Sequence, residues 1–340
     1  MDDLASNRHH STATSEPTRH PDLSFTDGNI AILTGQVYFL VHKGLLCRHS
    51  TPLQQMTKSL DPLIRLEGRP ILALQDTPQE MALFLAALYD GVLFDSKLDS
   101  VDFAAISALL RLTTKYEVKL RSSLLRELQR VQWPVRLAQW DIREAEATHN
   151  GQYNARSRYP HPILVINLAR AINAPELLPS AFYDLSRSPV SETTAGHIDS
   201  QGVLHQLAQG DLMHLLKGRE HASRFLSTFI VNELEGREPS SNCLHRQFQD
   251  VGHGRVCQAA FENVTFEILR DVNGVTHRSS DPLFAMLDSE LMQTRDSGQG
   301  PVMRACEFCR LEFGTAVDQA REEFWQKMAI WFGVELTGWT

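Results

Sequence analysis

The sequence predicts an α+β chain in two parts: a short sheet with a helix cluster over residues 25–130, then a mostly α-helical domain over 135–340. Three observations carry this. Short, strongly apolar runs bounded by turn residues crowd into the first quarter of the chain. Apolar residues then recur at helical spacing almost to the end. Between the two regions, Trp133-Pro134 interrupts the periodicity.

At 340 residues the chain can bury two modest cores. Its 42% apolar and 22% charged content is that of an ordinary globular protein. A net charge of −8, with a pI near 6.0, gives no field that gathers nucleic acid or anionic lipid. No nucleic-acid partner is expected. No apolar run reaches the roughly 18 residues of a membrane span, so no membrane partner is expected either. The first residues lack a secretory apolar run, and the expected location is cytoplasm or nucleus.

Residues 1–24 are rich in Ser, Thr, His and Pro and poor in large apolar side chains, which predicts a disordered tail. Its His9-His10 pair reads as solvated. Order is expected from Phe25. The runs at 30–33 and 37–41 form a hairpin about Thr34-Gly35-Gln36. Val37, Phe39 and Val41 share one face, Tyr38 and Leu40 the other, so this strand is buried on both sides. A helical pattern through Leu45, Leu46, His49 and Leu53 is interrupted by Pro52. Residues 64–67 and 71–74 read as strands joined through Gly68-Arg69-Pro70.

The next helix is the best marked. Thr77 caps it, Pro78 opens it, Glu80 completes a capping box and Gly91 ends it. Leu109, Leu112 and Tyr116, then Leu120, Leu124 and Leu128, extend two more helices. In the second part, helices are expected at 163–172, after Pro175, between 204 and 234 with breaks at Gly210-Asp211 and Gly218, and around Phe261. Asp281-Pro282 starts another, and the last closes at Gly333.

Cys306-Glu307-Phe308-Cys309 is the most chemical-looking motif. Two thiolates at this spacing can share one Zn²⁺, which takes four tetrahedral ligands. Cys243 and Cys257 would complete the set, with His245 or His253 as substitutes. The spacing is irregular, with thirteen residues inside the first pair and two inside the second. The competing reading is four reduced thiols with no metal. His214 and His221, seven apart, read as surface or cap residues, and Cys47 as a small hydrophobe. No P-loop, dinucleotide glycine cluster, nucleophile elbow or His-Glu-x-x-His is present. A non-enzyme is therefore expected.

Several pieces fall in a telling order: Asp27-Gly28, His42-Lys43 at a strand end, Ser50, Leu74 with Asp76, Tyr89-Asp90-Gly91, and Lys115-Tyr116-Glu117. Together they resemble the BTB/POZ domain, over about residues 25–130. The resemblance implies a short sheet packed on helices, homodimerisation through the N-terminal strand and first helix, and recruitment of other proteins. In some members the recruited protein is a cullin scaffold, and the chain is then a substrate adaptor for a ubiquitin ligase. By this resemblance Asp27 and His42 are interaction residues, and Leu66 and Glu67 loosely match an apolar-x-Glu element that holds a cullin. Leu53 stands where the family carries an aromatic after the Ser, preceded here by Pro52. The whole chain, through residues 204–220 and Cys306-x-x-Cys309 … Phe324-Trp325, resembles BTB-domain proteins abundant in mushroom-forming fungi. The alternative reading is a transcription-associated regulator with a zinc-stapled C-terminal domain.

Overall fold

The structure, a computed structural model, describes residues 16–91, 103–149, 152–246, 255–271, 281–293 and 304–339. His9, His10 and His253 lie outside the described residues. The chain divides into two compact units, residues 1–125 and 126–340. An N-terminal sheet with helices is followed by a largely helical region, so the mixed α+β class holds.

The first unit is organised on five strands: β1 (Thr18–Ser24), β2 (Ile30–Thr34), β3 (Val37–Val41), β4 (Arg65–Leu66) and β5 (Arg69–Leu74), in the order β1-β3-β2-β5-β4. The β2–β3 hairpin has the expected register, Ile32 opposite Phe39, and β5 joins β2 in parallel. Tyr38, Phe39, Leu40 and Val41 are all buried, which accounts for the unbroken apolar run. Ala31, Tyr38 and Leu40 form a cluster to which Leu33, Leu66 and Ile71 add their partly buried side chains.

Strand β1 corrects the expectation of disorder to residue 24. Thr18–Ser24 pairs in parallel with β3, and the His20 ring stacks on Phe39 at 4.9 Å. Most of this edge strand is exposed, so its composition stays polar although its backbone is paired.

Pro52 does not break a helix; it opens one. Helix α1 (Lys43–His49) stops at Ser50, whose side chain accepts from Leu53 N–H and caps α2 (Thr51–Met56). The turn after β4 is also displaced. Glu67 and Gly68 both have positive φ, 46° and 76°, so the two-residue turn between β4 and β5 is Glu67-Gly68, and Arg69 and Pro70 belong to the strand. Helix α3 (Pro78–Asp90) has its capping box: Glu80 N–H donates to Thr77 Oγ1, which contacts Glu80 Oε2 at 3.1 Å. Helices α4 (Phe103–Lys115) and α5 (Leu120–Val131) follow, and the boundary between units falls within α5.

The second unit contains α6 (Leu137–Glu146), α7 (Pro162–Ala171), α8 (Leu178–Ser186), α9 (Val190–Ala195), α10 (Gln209–Phe229), α11 (Val256–Asp271), α12 (Pro282–Leu291) and α13 (Glu307–Trp331). Every residue of α8 is buried, and α7, α10 and α13 pack against it. Asp281 caps α12 by accepting from Phe284 N–H. Two small hairpins were not expected from the sequence: β6 (Thr148–His149) with β7 (Gln152–Tyr153), and β8 (His197–Ile198) with β9 (Leu204–His205).

The breaks expected at Gly210-Asp211 and Gly218 are absent, because α10 runs through both. Gly218 serves close packing instead: a Cβ there would lie 2.0 Å from Cδ1 of the buried Phe332. Replacing Gly218 by Ala should therefore destabilise by about 1–3 kcal/mol in urea denaturation. Gly210→Ala meets open space and should leave the midpoint unchanged or slightly raised.

Candidate metal centre

Three segments of the second unit meet at four cysteines. Cys243 sits in the turn that follows the irregular stretch after α10. Cys257 lies in the first turn of α11. Cys306 is the N-cap of α13, and Cys309 is in that helix's first turn. The Cys-x-x-Cys spacing across a helix start places both sulfurs on one side of the helix end. Hydrophobic packing of α11 on α12, and of α12 on α13, brings the other pair to it.

All four Sγ atoms lie within 4.8 Å of one another. Cys243 Sγ is 3.6 Å from Cys257 Sγ and 3.8 Å from Cys306 Sγ. A tetrahedron with Zn–S bonds of the usual length has sulfur–sulfur edges of about 3.8 Å. These separations are far too long for disulfides, and all four cysteines are free. Among the described residues this is the one set of three or more potential ligands whose donor atoms converge. His245 is not part of it.

The surroundings favour thiolates over thiols. Two helices, α11 and α13, begin at the cluster and bring the positive ends of their dipoles to it. Ser240 N–H donates to Cys309 Sγ at 3.3 Å, and Cys306 N–H donates to Cys257 Sγ at 3.2 Å. For Cys306, burial opposes ionisation, but N–H groups of Cys309 and Leu244 and the neighbouring thiols outweigh it and bring the thiol down to about 7. Burial pushes Cys257 up to about 11, and it pushes Cys309 up as well. Without a cation, Cys306 ionises readily while Cys257 and Cys309 are held protonated. A divalent ion would neutralise that repulsion and draw all four to the thiolate form.

Four sulfurs fill a tetrahedral shell, and the four residues are between 0% and 8% exposed. A site of this kind leaves no position for substrate or water, which is the mark of a structural centre.

The interaction residues expected in the first unit fall into internal networks. His42 Nε2 lies 3.2 Å from Asp27 Oδ1, while its Nδ1 is 2.7 Å from Tyr89 Oη, which also accepts from His42 N–H. The bond from His42 holds the Asp27 carboxyl below its ordinary value. Asp27 is nonetheless 81% exposed in its side chain. A second network joins Asp76 to Tyr116 Oη and to Lys115 Nζ (2.6 Å), and Ser50 Oγ donates to Tyr116 O at 2.6 Å. Leu66 packs on the Ala31–Tyr38–Leu40 cluster, and Glu67 Oε1 accepts from Tyr38 Oη at 2.5 Å. The neighbouring Leu63 and Ile64 are the exposed apolar residues here, at 89% and 58%.

A further polar centre escaped sequence reasoning. Arg143, only 1% exposed, pairs with Glu144 and Asp184, and its guanidinium lies against Trp133, Trp140 and Tyr159 at 4.3–4.9 Å. Arg187 pairs with Glu144, Asp184 and Asp281, and Arg156 also reaches Asp184. The one available signal was charge in unusual company: Arg143-Glu144 shares a helix with Trp140.

No family model matches the chain, and no curated protein matches it. No helix among the described residues is long and apolar enough to cross a membrane.

Proposed function

We propose that this chain is a protein–protein interaction module of BTB/POZ type, with a structural Zn²⁺ on Cys243, Cys257, Cys306 and Cys309. The observation that carries the interaction reading is how the residues of the resemblance meet. Asp27, His42 and Tyr89 form one hydrogen-bonded network; Ser50, Asp76 and Tyr116 form another. Together they join the β2–β3 hairpin, the α1–α2 pair, α3 and the end of α4. A closed, four-sulfur centre adds a staple and no reactive position, which suits a binding protein better than an enzyme.

In this reading the first unit self-associates as a homodimer and recruits a partner protein, with a cullin-type scaffold as the specific candidate, and the second unit selects what is brought to it. The energy would come from apolar surface buried across a two-fold axis. Sedimentation equilibrium of the full chain, with a scaffold pull-down alongside, is the test. A dimer that captures the scaffold, and loses it on Leu63→Asp/Ile64→Asp, supports the adaptor reading. A monomer at high concentration that captures nothing removes the interaction reading. Leu63 and Ile64 are preferable to Leu66 and Glu67 as probes, since they are the more exposed and Glu67 also holds Tyr38.

A further inference from the structure

The N-terminus of α7 and the β8–β9 hairpin meet through two histidines. His161 caps α7: its Nδ1 accepts from Ile163 N–H at 3.3 Å, so that nitrogen must carry a lone pair. The His161 ring lies face to face with that of His197 on β8, centroids 4.2 Å apart and planes 5° from parallel. A second tie is Asn167 Nδ2 on α7, donating to Gln206 O just after β9 at 3.1 Å. On the hairpin itself, Ile198, Val203 and Leu204 are 49–64% exposed, so little buried apolar surface holds it down. The stack and the Asn167 bond are thus a large share of its anchorage.

We propose that the His161–His197 stack is an acid-opened latch, holding the β8–β9 hairpin on α7 when both rings are neutral and releasing it when they take protons. Each step of that release follows from the geometry. A proton on His161 Nδ1 removes the cap acceptor and sets a cation at the positive end of α7. A proton on His197 as well places two like charges face to face. The charged groups around the pair tilt the same way. Arg156, from the short turn at Ala155–Ser157, repels a charge on either ring, and His205 on β9 repels one on His197. Asp184 on α8 and Asp199 on the hairpin attract it, but Asp184 is shared among three arginines, and Asp199 is bonded to His205 Nε2 at 2.8 Å.

Burial first, then Arg156 and His197, take His161 down to about 4, and burial likewise lowers His197. The released rings would titrate at an ordinary histidine value, near 6.5. A group depressed in the closed form contributes stability that is full above the free value and is lost as pH falls toward the closed-form value. The latch therefore weakens between about pH 6.5 and 4.

Hydrogen exchange of the full chain, corrected for intrinsic pH dependence, tests this. Protection of residues 196–206, taken relative to the core helix α8, should fall on the order of tenfold between about pH 7.5 and 5. The double variant His161→Asn/His197→Phe keeps a capping acceptor at 161 and a flat apolar ring at 197 but has no proton to take, and its ratio should stay flat. A wild-type ratio that does not change with pH overturns the latch. So does a fall in the double variant equal to that of the wild type, or loss of α8 protection in step with the hairpin.

Discussion

With zinc on the four cysteines as proposed, replacing Cys309 by Ser is expected to leave the purified chain without metal and to lower the stability of the second unit by on the order of 3 kcal/mol or more. The argument is one of coupling. A structural ion binds the folded arrangement and not the open chain, so its binding free energy is folding free energy. The ligands come from three places in the chain, and an ion there closes two long loops, between Cys243 and Cys257 and between Cys257 and Cys306. Loss of one sulfur leaves three, with a hydroxyl that binds zinc weakly at the fourth corner. Cys47 is the internal control. It lies beside Thr57 and is not one of the four, and Cys47→Ser should keep both metal and midpoint. Metal content by mass spectrometry with urea denaturation checks both variants. Chelation of the wild type should reproduce the Cys309→Ser result and leave the Cys309→Ser chain unaffected.

Asp184→Asn is the second large effect, expected at about 3–5 kcal/mol. The substitution keeps volume and one accepting oxygen, removes the charge, and turns the other oxygen into an NH2 donor that faces guanidinium N–H groups. Asp184 is wholly buried and takes bonds from Arg143 at 2.9 Å, Arg156 at 2.7 Å and Arg187 at 2.5 Å. Burial opposes its ionisation, but those three guanidinium groups outweigh burial and hold its carboxyl well below the usual carboxylate range. A carboxyl depressed in this way contributes stability that is present above its unfolded value and is lost only as pH falls below it. The gap between wild type and Asp184→Asn should therefore be constant through neutral pH and close only in acid. Arg224→Ala, which breaks an exposed pair with Glu220 on α10, should by contrast change stability by less than about 1 kcal/mol. Equal effects at the two positions would contradict the assignment of Asp184 as the shared partner of buried cations.

Much of the fold was legible because local signals and burial agree. The β2–β3 hairpin, the capping box at Thr77 and the Asp281 cap each satisfy backbone groups with residues a few positions away, and such signals survive in sequence. Elements that depend on a distant neighbour were not legible. Strand β1 is polar because it lies on an exposed edge, and only its pairing with β3 makes it a strand. Helix α10 passes through Gly218 because Phe332, more than a hundred residues later, occupies the space a side chain would need. Pro52 reads as an interruption in sequence because the capping role of Ser50 is not visible without the turn it makes.

The candidate centre was half legible. Cys306 and Cys309 announce themselves by spacing, whereas Cys243 and Cys257 are neither close in sequence nor regularly spaced, and packing alone brings them in. The buried arginine network was all but hidden for the opposite reason: Arg, Asp and Glu on helices read as solvated faces, and burial among Trp133, Trp140 and Tyr159 gives them another meaning.

The measurement that bears most directly on the metal-stapled account is metal analysis of the chain as purified, followed by Co²⁺ replacement and its visible absorption spectrum. One zinc per chain, giving with Co²⁺ the intense thiolate-to-metal and d–d bands of a tetrahedral four-sulfur site, is the result the account predicts. A chain that is fully folded, carries no metal and takes up no Co²⁺ would contradict it, and the four cysteines would then be a cluster of packed, protonated thiols.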